Sequence, residues 1–257
     1  MKKTKSPLTD KPLRNPGQSV EDQIGSVVND ELITYIILPF TFILLSIIEW
    51  MHWYFDTKPS PFLISVIALL SVIYSVYKIL KIKKKLKSLR QGRDGEKAVG
   101  QYLELFREQG MKIFHDIVGD EFNIDHLIIS SKGIYVIETK TYSKPLKGKT
   151  EIFFDGKDIS INGKVYNDNI TIQVTAATAW ISKLIEELTA KKFAVTPVVV
   201  FPGWYVKMTN KYKSPIWVLN PKSLNNFIYQ QNNVLSAEDM KLVSNHITRY
   251  IRSKELK

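Results

Sequence analysis

Two long runs of apolar residues lie near the beginning of the chain. They cover residues 32–48 and 62–80, and Lys78 is the only ionised residue in either run. As a helix with a rise of about 1.5 Å per residue, each run comes close to the roughly 30 Å hydrocarbon thickness of a bilayer. A pair of buried core helices would give a similar pattern, and Pro39 and Thr41 in the first run would suit such helices. Because the two runs follow each other with only a short connection, the pattern favours a transmembrane hairpin.

The flanks of these runs predict how the chain is organised. Residues 1–30 contain few large apolar side chains, so they cannot bury enough surface to offset their conformational entropy. A secretory signal peptide is disfavoured because this polar segment precedes the first run and a second run follows it. We therefore expect a mostly disordered arm at 1–30, two transmembrane helices at 31–82, a basic linker at 83–91 and a folded domain at 92–257.

The rest of the chain alternates between helical and strand patterns. Glu96, Val99, Leu103 and Phe106 are spaced by three, four and three residues, which places them on one face of a helix. We expect this helix to begin near residues 94–95. Glu96 then lies at the end of the buried stripe.

A β-hairpin is predicted next. Residues 122–129 and 134–140 are rich in β-branched and aromatic side chains, and the Ser-Ser-Lys-Gly sequence between them is typical of a tight turn. A symmetric hairpin about this turn places Asp125 opposite or nearly opposite Glu138, since a bulge would shift the pairing by one residue.

Further elements complete an α/β domain. The apolar run at 195–201 is typical of a central strand covered on both faces. A closing helix follows the cap residue Ser236. We also predict a short hairpin at 151–161, a helix at 170–188 and a strand at 216–219. The inward face of the helix at 170–188 is predicted to carry Gln173, Ala176, Trp180, Leu184 and Leu188, and that of the closing helix Leu242, Val243, Ile247, Tyr250 and Ile251.

Composition and charge narrow the classes of function. The chain has no cysteine, which excludes disulfides, thiol nucleophiles and Cys-based zinc sites. Its formal net charge of +11 is compatible with binding to nucleic acid and also with binding to anionic lipid head groups. Charge alone does not decide between these partners.

The distribution of Lys and Arg predicts an orientation for the hairpin. The connection between the two apolar runs carries only Lys58, whereas both flanks are rich in cations. The positive-inside rule then places both termini, and with them the folded domain, in the cytoplasm. The cations after the second run abut a predicted span, which favours binding to lipid phosphates over binding to nucleic acid. The flanking cations are Lys2, Lys3, Lys5, Lys11 and Arg14 before the first run, and Lys81, Lys83, Lys84, Lys85, Lys87, Arg90 and Arg93 after the second.

Three residues of the predicted hairpin form a candidate site. Asp125 interrupts one apolar strand, and Glu138 and Lys140 end the next. Because side chains alternate along a strand, Glu138 and Lys140 point to the same face. Two carboxylates this close repel each other unless a cation or a proton lies between them, and hard oxygen ligands suit Mg²⁺ or Mn²⁺. A solvated Glu/Lys pair is the alternative, but the position of Asp125 across the hairpin favours a metal site whose lysine can orient an attacking water.

Four segments form a set of motifs. They are Gly-Arg-Asp-Gly-Glu at 92–96, Asn-Ile-Asp-His at 123–126, Gly-Ile-Tyr-Val-Ile-Glu-Thr-Lys at 133–140 and Asn-Ile-Thr-Ile-Gln at 169–173. The set resembles the nuclease-related domain, known as NERD, which is similar in turn to the PD-(D/E)xK nuclease superfamily. The resemblance covers roughly residues 92–192 and implies a restriction-endonuclease-like fold, with a mixed central sheet flanked by helices. One departure is Ile170, where family members often have proline, and it alters a helix start rather than the chemistry.

The resemblance also implies roles for the site residues. Lys140 would position the hydrolytic water, and Glu96 would assist a metal or a more distant water. Gln173 would support the site or touch the substrate backbone. The metal itself would be bound by Asp125, Glu138 and the main-chain carbonyl of Thr139.

The histidines are predicted to have structural roles. His126 follows Asp125 and would face the opposite side of the strand. His115 lies near the start of an earlier strand, where packing is favoured over metal binding or proton transfer.

The sequence therefore predicts a membrane-anchored, metal-dependent nuclease that hydrolyses phosphodiester bonds of DNA or RNA on the cytoplasmic side, with Mg²⁺ or Mn²⁺ as cofactor. Nucleic acid and membrane lipids would be its partners. The alternative is a non-catalytic, membrane-tethered module that keeps the nuclease fold and binds nucleic acid, a nucleotide or a protein. Uptake of Mn²⁺ discriminates between the two. A transport role is disfavoured because neither span carries an ionised residue within its core.

Overall fold

The computed structural model describes residues 12–55, 61–119, 122–145, 150–166, 169–209, 212 and 214–254. The chain divides into two compact units. One unit is Ser19–Gln91, and the other is Gly92–Lys257 together with Met1–Gln18. Of the sequence predictions, those that concern residues 1–11 and the connection at 56–60 lie outside the described residues.

The first unit contains two helices that are long and apolar enough to cross a membrane. Helix α1 spans Gln18–Ser26, a π-helical segment spans Val27–Leu32, and α2 spans Ile33–Tyr54. Helix α3 spans Pro61–Glu104 and begins in this unit. Of the 18 most apolar consecutive residues in each helical stretch, 0% are buried in the first and 11% in the second. Their large apolar side chains therefore face outward.

Part of the predicted disordered arm is helical instead. Residues 18–30 lie in α1 and the π-helical segment, so the prediction of disorder is wrong for them. Ile24 and Val27 pack with Ile82 and Leu86 of α3 in a small apolar cluster. Few apolar residues suffice here because they fall three or four positions apart on one helical face. The predicted linker at 83–91 is likewise helical, within α3.

The second unit is a mixed α/β domain whose main sheet has five strands, which are β1 Lys112–Val118, β2 Asn123–Ser130, β3 Gly133–Thr139, β7 Val195–Val200 and β9 Trp217–Leu219. Their order in the sheet is β1-β2-β3-β7-β9. Neighbouring strands among β1, β2 and β3 are antiparallel, whereas β3, β7 and β9 are parallel.

Helices cover both faces of the main sheet. After α3, a 3₁₀ helix, Leu105–Gln109, leads into β1, and the other helices are α4 Ile170–Thr189, α5 Pro221–Tyr229 and α6 Ala237–Lys254. One apolar cluster joins the sheet to α4 and α6, and a second joins it to the C-terminal part of α3 and to α5.

A second sheet has four strands in the order β6-β5-β4-β8. Three of its strands come from the segment between β3 and α4, and the fourth follows β7. They are β4 Glu151–Phe154, β5 Ile159–Ile161, β6 Lys164–Tyr166 and β8 Tyr205–Met208. The sequence predicted only the short hairpin of β4 and β5, and it missed β6 and β8.

Several local predictions are confirmed. In the hairpin, His126 pairs with Ile137 and Ser130 with Gly133, which is the symmetric register predicted from the turn. Strand β7 is central, and its residues 198–200 are fully buried. Ser236 caps α6 by accepting a hydrogen bond from the Asp239 N–H at 3.1 Å.

Two helix predictions are wrong in detail. Helix α3 does not begin near residues 94–95 but runs through them, because the flanking lysines, leucines and arginines are good helix formers. The buried face of α4 lies one position away from the predicted one. Two overlapping stripes have helical spacing, and the more β-branched stripe faces the core while Trp180 and Leu184 are half-buried beside it. The buried residues are Ile170, Val174, Ala177, Ile181 and Ile185.

Two glycines of α3 provide a matched test of its packing. A Cβ at Gly95 would overlap the Thr141 hydroxyl, whereas a Cβ at Gly92 would meet nothing within 4 Å. We expect Gly95→Ala to destabilise the domain by about 1–3 kcal/mol through overpacking. Gly92→Ala should stabilise it by about 0.5–1 kcal/mol because alanine is the better helix former. Denaturant unfolding of both variants measures the difference, and equal effects would contradict this packing.

Candidate active site

The candidate site lies where β3 ends. Glu138 and Thr139 are the last two residues of the strand and both are buried. Lys140 follows, and its backbone N–H donates to the Val200 carbonyl at 2.9 Å. The parallel neighbour β7 therefore fixes the backbone from which the Glu138 and Lys140 side chains project.

Asp125 approaches this strand end from β2. Continuing the hairpin register by one residue beyond the His126–Ile137 pair places Asp125 opposite Glu138. The Thr139 backbone N–H donates to Asp125 Oδ2 at 2.7 Å. The sequence prediction that Asp125 and Glu138 lie close together is confirmed.

Lys140 joins two other predicted site residues. Its Nζ lies 2.7 Å from Glu138 Oε1 and donates to Gln173 Oε1 at 2.9 Å. Gln173 is exposed on the first turn of α4, so it is not on the buried helical face that its spacing suggested. It reaches the site nevertheless, because the start of α4 lies beside the end of β3.

The three carboxyl groups of the site repel one another. Burial raises the pKa of Asp125 well above its ordinary value, and the charges of Glu138 and Glu96 raise it further. Burial also raises the pKa of Glu138, although the Lys140 ammonium opposes this. Burial, with the charges of Asp116 and Glu138, raises the pKa of Glu96 to about 7. The site is therefore an acidic cluster with one neighbouring ammonium.

The raised pKa of Glu96 predicts a pH-dependent contribution to stability. Between its ordinary pKa of 4.5 and about 7, the folded chain binds more protons at this carboxyl than the unfolded chain does. Its contribution to the free energy of unfolding is thus complete below about pH 4.5 and lost as the pH rises through about 7.

We therefore expect the wild type, with metal chelated, to lose stability relative to Glu96→Gln across this window. Thermal unfolding of both proteins below, within and above the window measures this difference. Glu187→Gln, at an exposed position on α4, is the control without such a trend. A constant difference between the wild type and Glu96→Gln would contradict the raised pKa.

A fourth acidic residue, Asp116, was not predicted. It is 2% exposed in β1, has a φ of 50°, and accepts from Arg14 Nε at 2.6 Å. Asp116 and Asp125 face each other at a gap in the β1–β2 pairing, between the pairs on either side. Its place inside an apolar strand, like that of Asp125, was the available sequence signal. No sequence signal indicated that Arg14 is its partner, because the two residues are 102 positions apart.

The two histidines form a separate buried cluster. His115 Nδ1 and His126 Nδ1 lie 2.8 Å apart, and His115 Nε2 lies 2.7 Å from Glu104 Oε1. Burial lowers the pKa of both histidines, and that of His126 falls well below its ordinary value. They pack between β1, β2 and α3, as the prediction of structural roles proposed.

The donor set of the site can be compared with the needs of a divalent cation. Within the part of the chain that the structure describes, no group of three or more His, Asp or Glu side chains is arranged around a common metal position. Two carboxylates and a main-chain carbonyl are nevertheless a donor set that suits Mg²⁺, which keeps several waters and completes its shell with substrate phosphate. The mutual repulsion of Asp125 and Glu138 is what a bound cation would relieve.

Comparisons with known proteins place this site in a family context. Residues 91–202 match the family model described as the nuclease-related domain, NERD. The predicted resemblance is thereby confirmed for this part of the chain, which contains every residue predicted for the site. A comparison with curated protein sequences finds no match.

One solved structure is similar to the chain. It is Pyrococcus furiosus SfsA in complex with Ca²⁺, with 20% identity and a TM-score of 0.21. The match covers 61% of this chain and 52% of that protein, so the chain spans about half of its length. At this level of overlap the likeness assigns no function.

Proposed function

We propose that the chain is a membrane-anchored, metal-dependent nuclease that hydrolyses phosphodiester bonds of DNA or RNA on the cytoplasmic side of a membrane. One observation carries the proposal. Asp125, Glu138 and Lys140 meet at the end of the hairpin, with Lys140 Nζ 2.7 Å from Glu138 Oε1, inside the stretch that matches the nuclease-related domain.

The metal would be held by Asp125, Glu138 and the Thr139 carbonyl. These are hard oxygen donors, which suit Mg²⁺ or Mn²⁺. When bound, such an ion polarises the phosphate and lowers the pKa of a bound water. The Thr139 N–H holds Asp125 Oδ2 at 2.7 Å and so fixes the orientation of one ligand before any metal arrives.

Lys140 would orient the attacking water and stabilise the negative charge that develops on the phosphate oxygens. Its ammonium is held on one side by Glu138 and on the other by the Gln173 amide oxygen at 2.9 Å. Gln173 thus positions Lys140. Glu96, whose pKa is about 7, would exchange protons with water near neutral pH, as suits a group that assists the reaction from beside the metal ligands.

The membrane anchor is supported by the outward-facing apolar surface of the first unit. Ile37, Phe40 and Leu69 are 55%, 65% and 61% exposed, which is unlike the helices of a soluble core. A bilayer would cover these side chains. The cations from Lys81 to Lys87 in α3 follow the second apolar run, where each contributes about 1 kcal/mol of attraction to anionic lipid.

The orientation gives a further prediction. Since the cations flank the hairpin rather than lie within its connection, we expect a reporter fused after Lys257 to remain in the cytoplasm. Accessibility of that reporter to a membrane-impermeant reagent in intact cells measures the orientation. Labelling without permeabilisation would contradict it.

The cleavage reaction tests the proposal. The purified full chain is incubated with single-stranded and duplex DNA and RNA in the presence of Mg²⁺ or Mn²⁺, beside Asp125→Ala. We expect cleavage by the wild type alone. If neither protein cleaves any substrate and neither binds Mn²⁺, the result would instead favour a non-catalytic module.

A further inference from the structure

The second sheet begins close to the candidate site. Strand β8 starts at Tyr205, five residues after Val200, whose carbonyl accepts the Lys140 N–H. An extended backbone covers at most about 3.6 Å per residue, so the Cα atoms of Tyr205 and Val200 lie within about 18 Å. Trp204 Nε1 donates to the Tyr142 carbonyl at 3.3 Å, which ties the start of β8 to the segment that leaves β3. A few nucleotides of an extended strand would span this distance.

The two faces of the second sheet differ. Ile152, Phe154 and Ile159 of its inner face are buried in the main apolar cluster. The opposite face is named here the outer face and consists of alternate residues on the four strands, whose cross-strand pairs join them in rows. Its members are Glu151, Phe153, Ser160, Val165, Tyr205 and Lys207.

The outer face exposes aromatic side chains. Tyr205 is 61% and Phe153 is 39% exposed, and Phe153 pairs directly with Lys207. Lys207 Nζ lies 5.6 Å from the centre of the Tyr205 ring and 3.3 Å from Glu151 Oε1. Exposed rings beside an ammonium are the combination on which nucleic-acid bases stack while the phosphate is neutralised.

By sequence, the segments that contain these strands carry an excess of positive charge. Residues 141–166 and 203–214 contain eight lysines and three acidic residues. Of these lysines, Lys144, Lys157, Lys164 and Lys207 belong to the described part of the chain. An apolar protein partner would gain nothing from this excess of positive charge. Nucleic acid would gain from it through phosphate contacts and counterion release.

We propose that the outer face binds single-stranded nucleic acid by stacking bases on Tyr205 and Phe153, and so delivers the strand to the Asp125, Glu138 and Lys140 site. The delivery rests on the proposed nuclease function, whereas the binding does not. A single strand is the substrate class because the faces of its bases are free, whereas those of a duplex are stacked on each other. DNA and RNA share this chemistry.

Binding can be measured apart from cleavage. Fluorescence anisotropy of a labelled single-stranded oligonucleotide is followed with the full chain in detergent and with EDTA present, which suppresses hydrolysis. Tyr205→Ala and Phe153→Ala should each weaken binding by about 5- to 100-fold. Tyr205→Phe keeps the ring and should bind as the wild type does. Tyr229→Ala is the matched control. Tyr229 belongs to α5 rather than to the second sheet, is 76% exposed and has Lys132 Nζ 5.8 Å from the centre of its ring.

The outcomes separate this inference from the proposed function. Equal binding by Tyr205→Ala, Tyr229→Ala and the wild type would overturn it, as would duplex binding as tight as single-strand binding. If the Tyr205 and Phe153 variants lose binding while the wild type cleaves nothing with metal, strand binding by the outer face is supported and the nuclease proposal is contradicted. If the wild type cleaves but both aromatic variants bind normally, only strand binding by the outer face is contradicted.

Discussion

Replacing Glu138 by Gln should lower the affinity for Mn²⁺ by at least about 100-fold and reduce cleavage by about 10³-fold. Glu138 is 4% exposed and lies close to the Asp125 carboxyl, so one ammonium, that of Lys140, faces two buried carboxyl groups, and a bound metal would relieve their remaining repulsion. In the wild type, Mn²⁺ at 100 times its Kd should add about 2.7 kcal/mol to the free energy of unfolding. Glu138→Gln should lose this stabilisation while remaining folded.

The measurement is thermal unfolding of both proteins as Mn²⁺ is titrated, with cleavage followed in parallel. Glu187→Gln removes an exposed carboxylate on α4 and should leave both results unchanged. Equal stabilisation of the wild type and Glu138→Gln by Mn²⁺ would show that Glu138 is not a ligand.

Lys140→Met should reduce cleavage by about 10²- to 10³-fold without weakening the binding of Mn²⁺. The ammonium now lies 2.7 Å from Glu138 Oε1, so its removal leaves that oxygen free for a metal and should keep or tighten its binding. Methionine preserves the length of the side chain. This combination distinguishes a residue that acts on the reacting water from one that holds the metal.

Single-turnover cleavage and Mn²⁺ titration of Lys140→Met test this distinction. Lys132→Met, at the turn of the same hairpin, is the control for the loss of one positive charge. Cleavage that stays near the wild-type rate would remove Lys140 from the proposed mechanism. Loss of Mn²⁺ binding together with cleavage would instead assign it a structural role.

The hairpin that carries these residues was predictable from local sequence. A four-residue turn between two β-branched runs fixed the register, and the register brought Asp125 to Glu138. The stripe of Val99, Leu103 and Phe106 also predicted the buried face of the end of α3 and of the 3₁₀ helix that follows it, because a period near 3.6 has one solution there. The face of α4 was harder, since two adjacent stripes share that period.

Contacts between distant residues could not be predicted in the same way. The pairing of Arg14 with Asp116 depends on how the folded chain brings an early segment to β1, and neither residue belongs to a periodic pattern. The strand β8 joins β4 although more than fifty residues separate them, and parallel pairing of short strands leaves no turn in the sequence. The helical segment at 18–30 was missed because its apolar face is narrow.

The most direct test of a metal-dependent nuclease centre is whether cleavage by the chain stops when the metal is removed and resumes when it is returned. A labelled single-stranded oligonucleotide is followed as Mn²⁺ is added, chelated with EDTA and added again, in parallel with Asp125→Ala. We predict that the wild type cleaves, stops and resumes with the metal, and that Asp125→Ala stays inactive throughout. Three results would contradict the proposed centre. They are wild-type cleavage at the same rate with and without metal, equal cleavage by Asp125→Ala, and no cleavage by either protein.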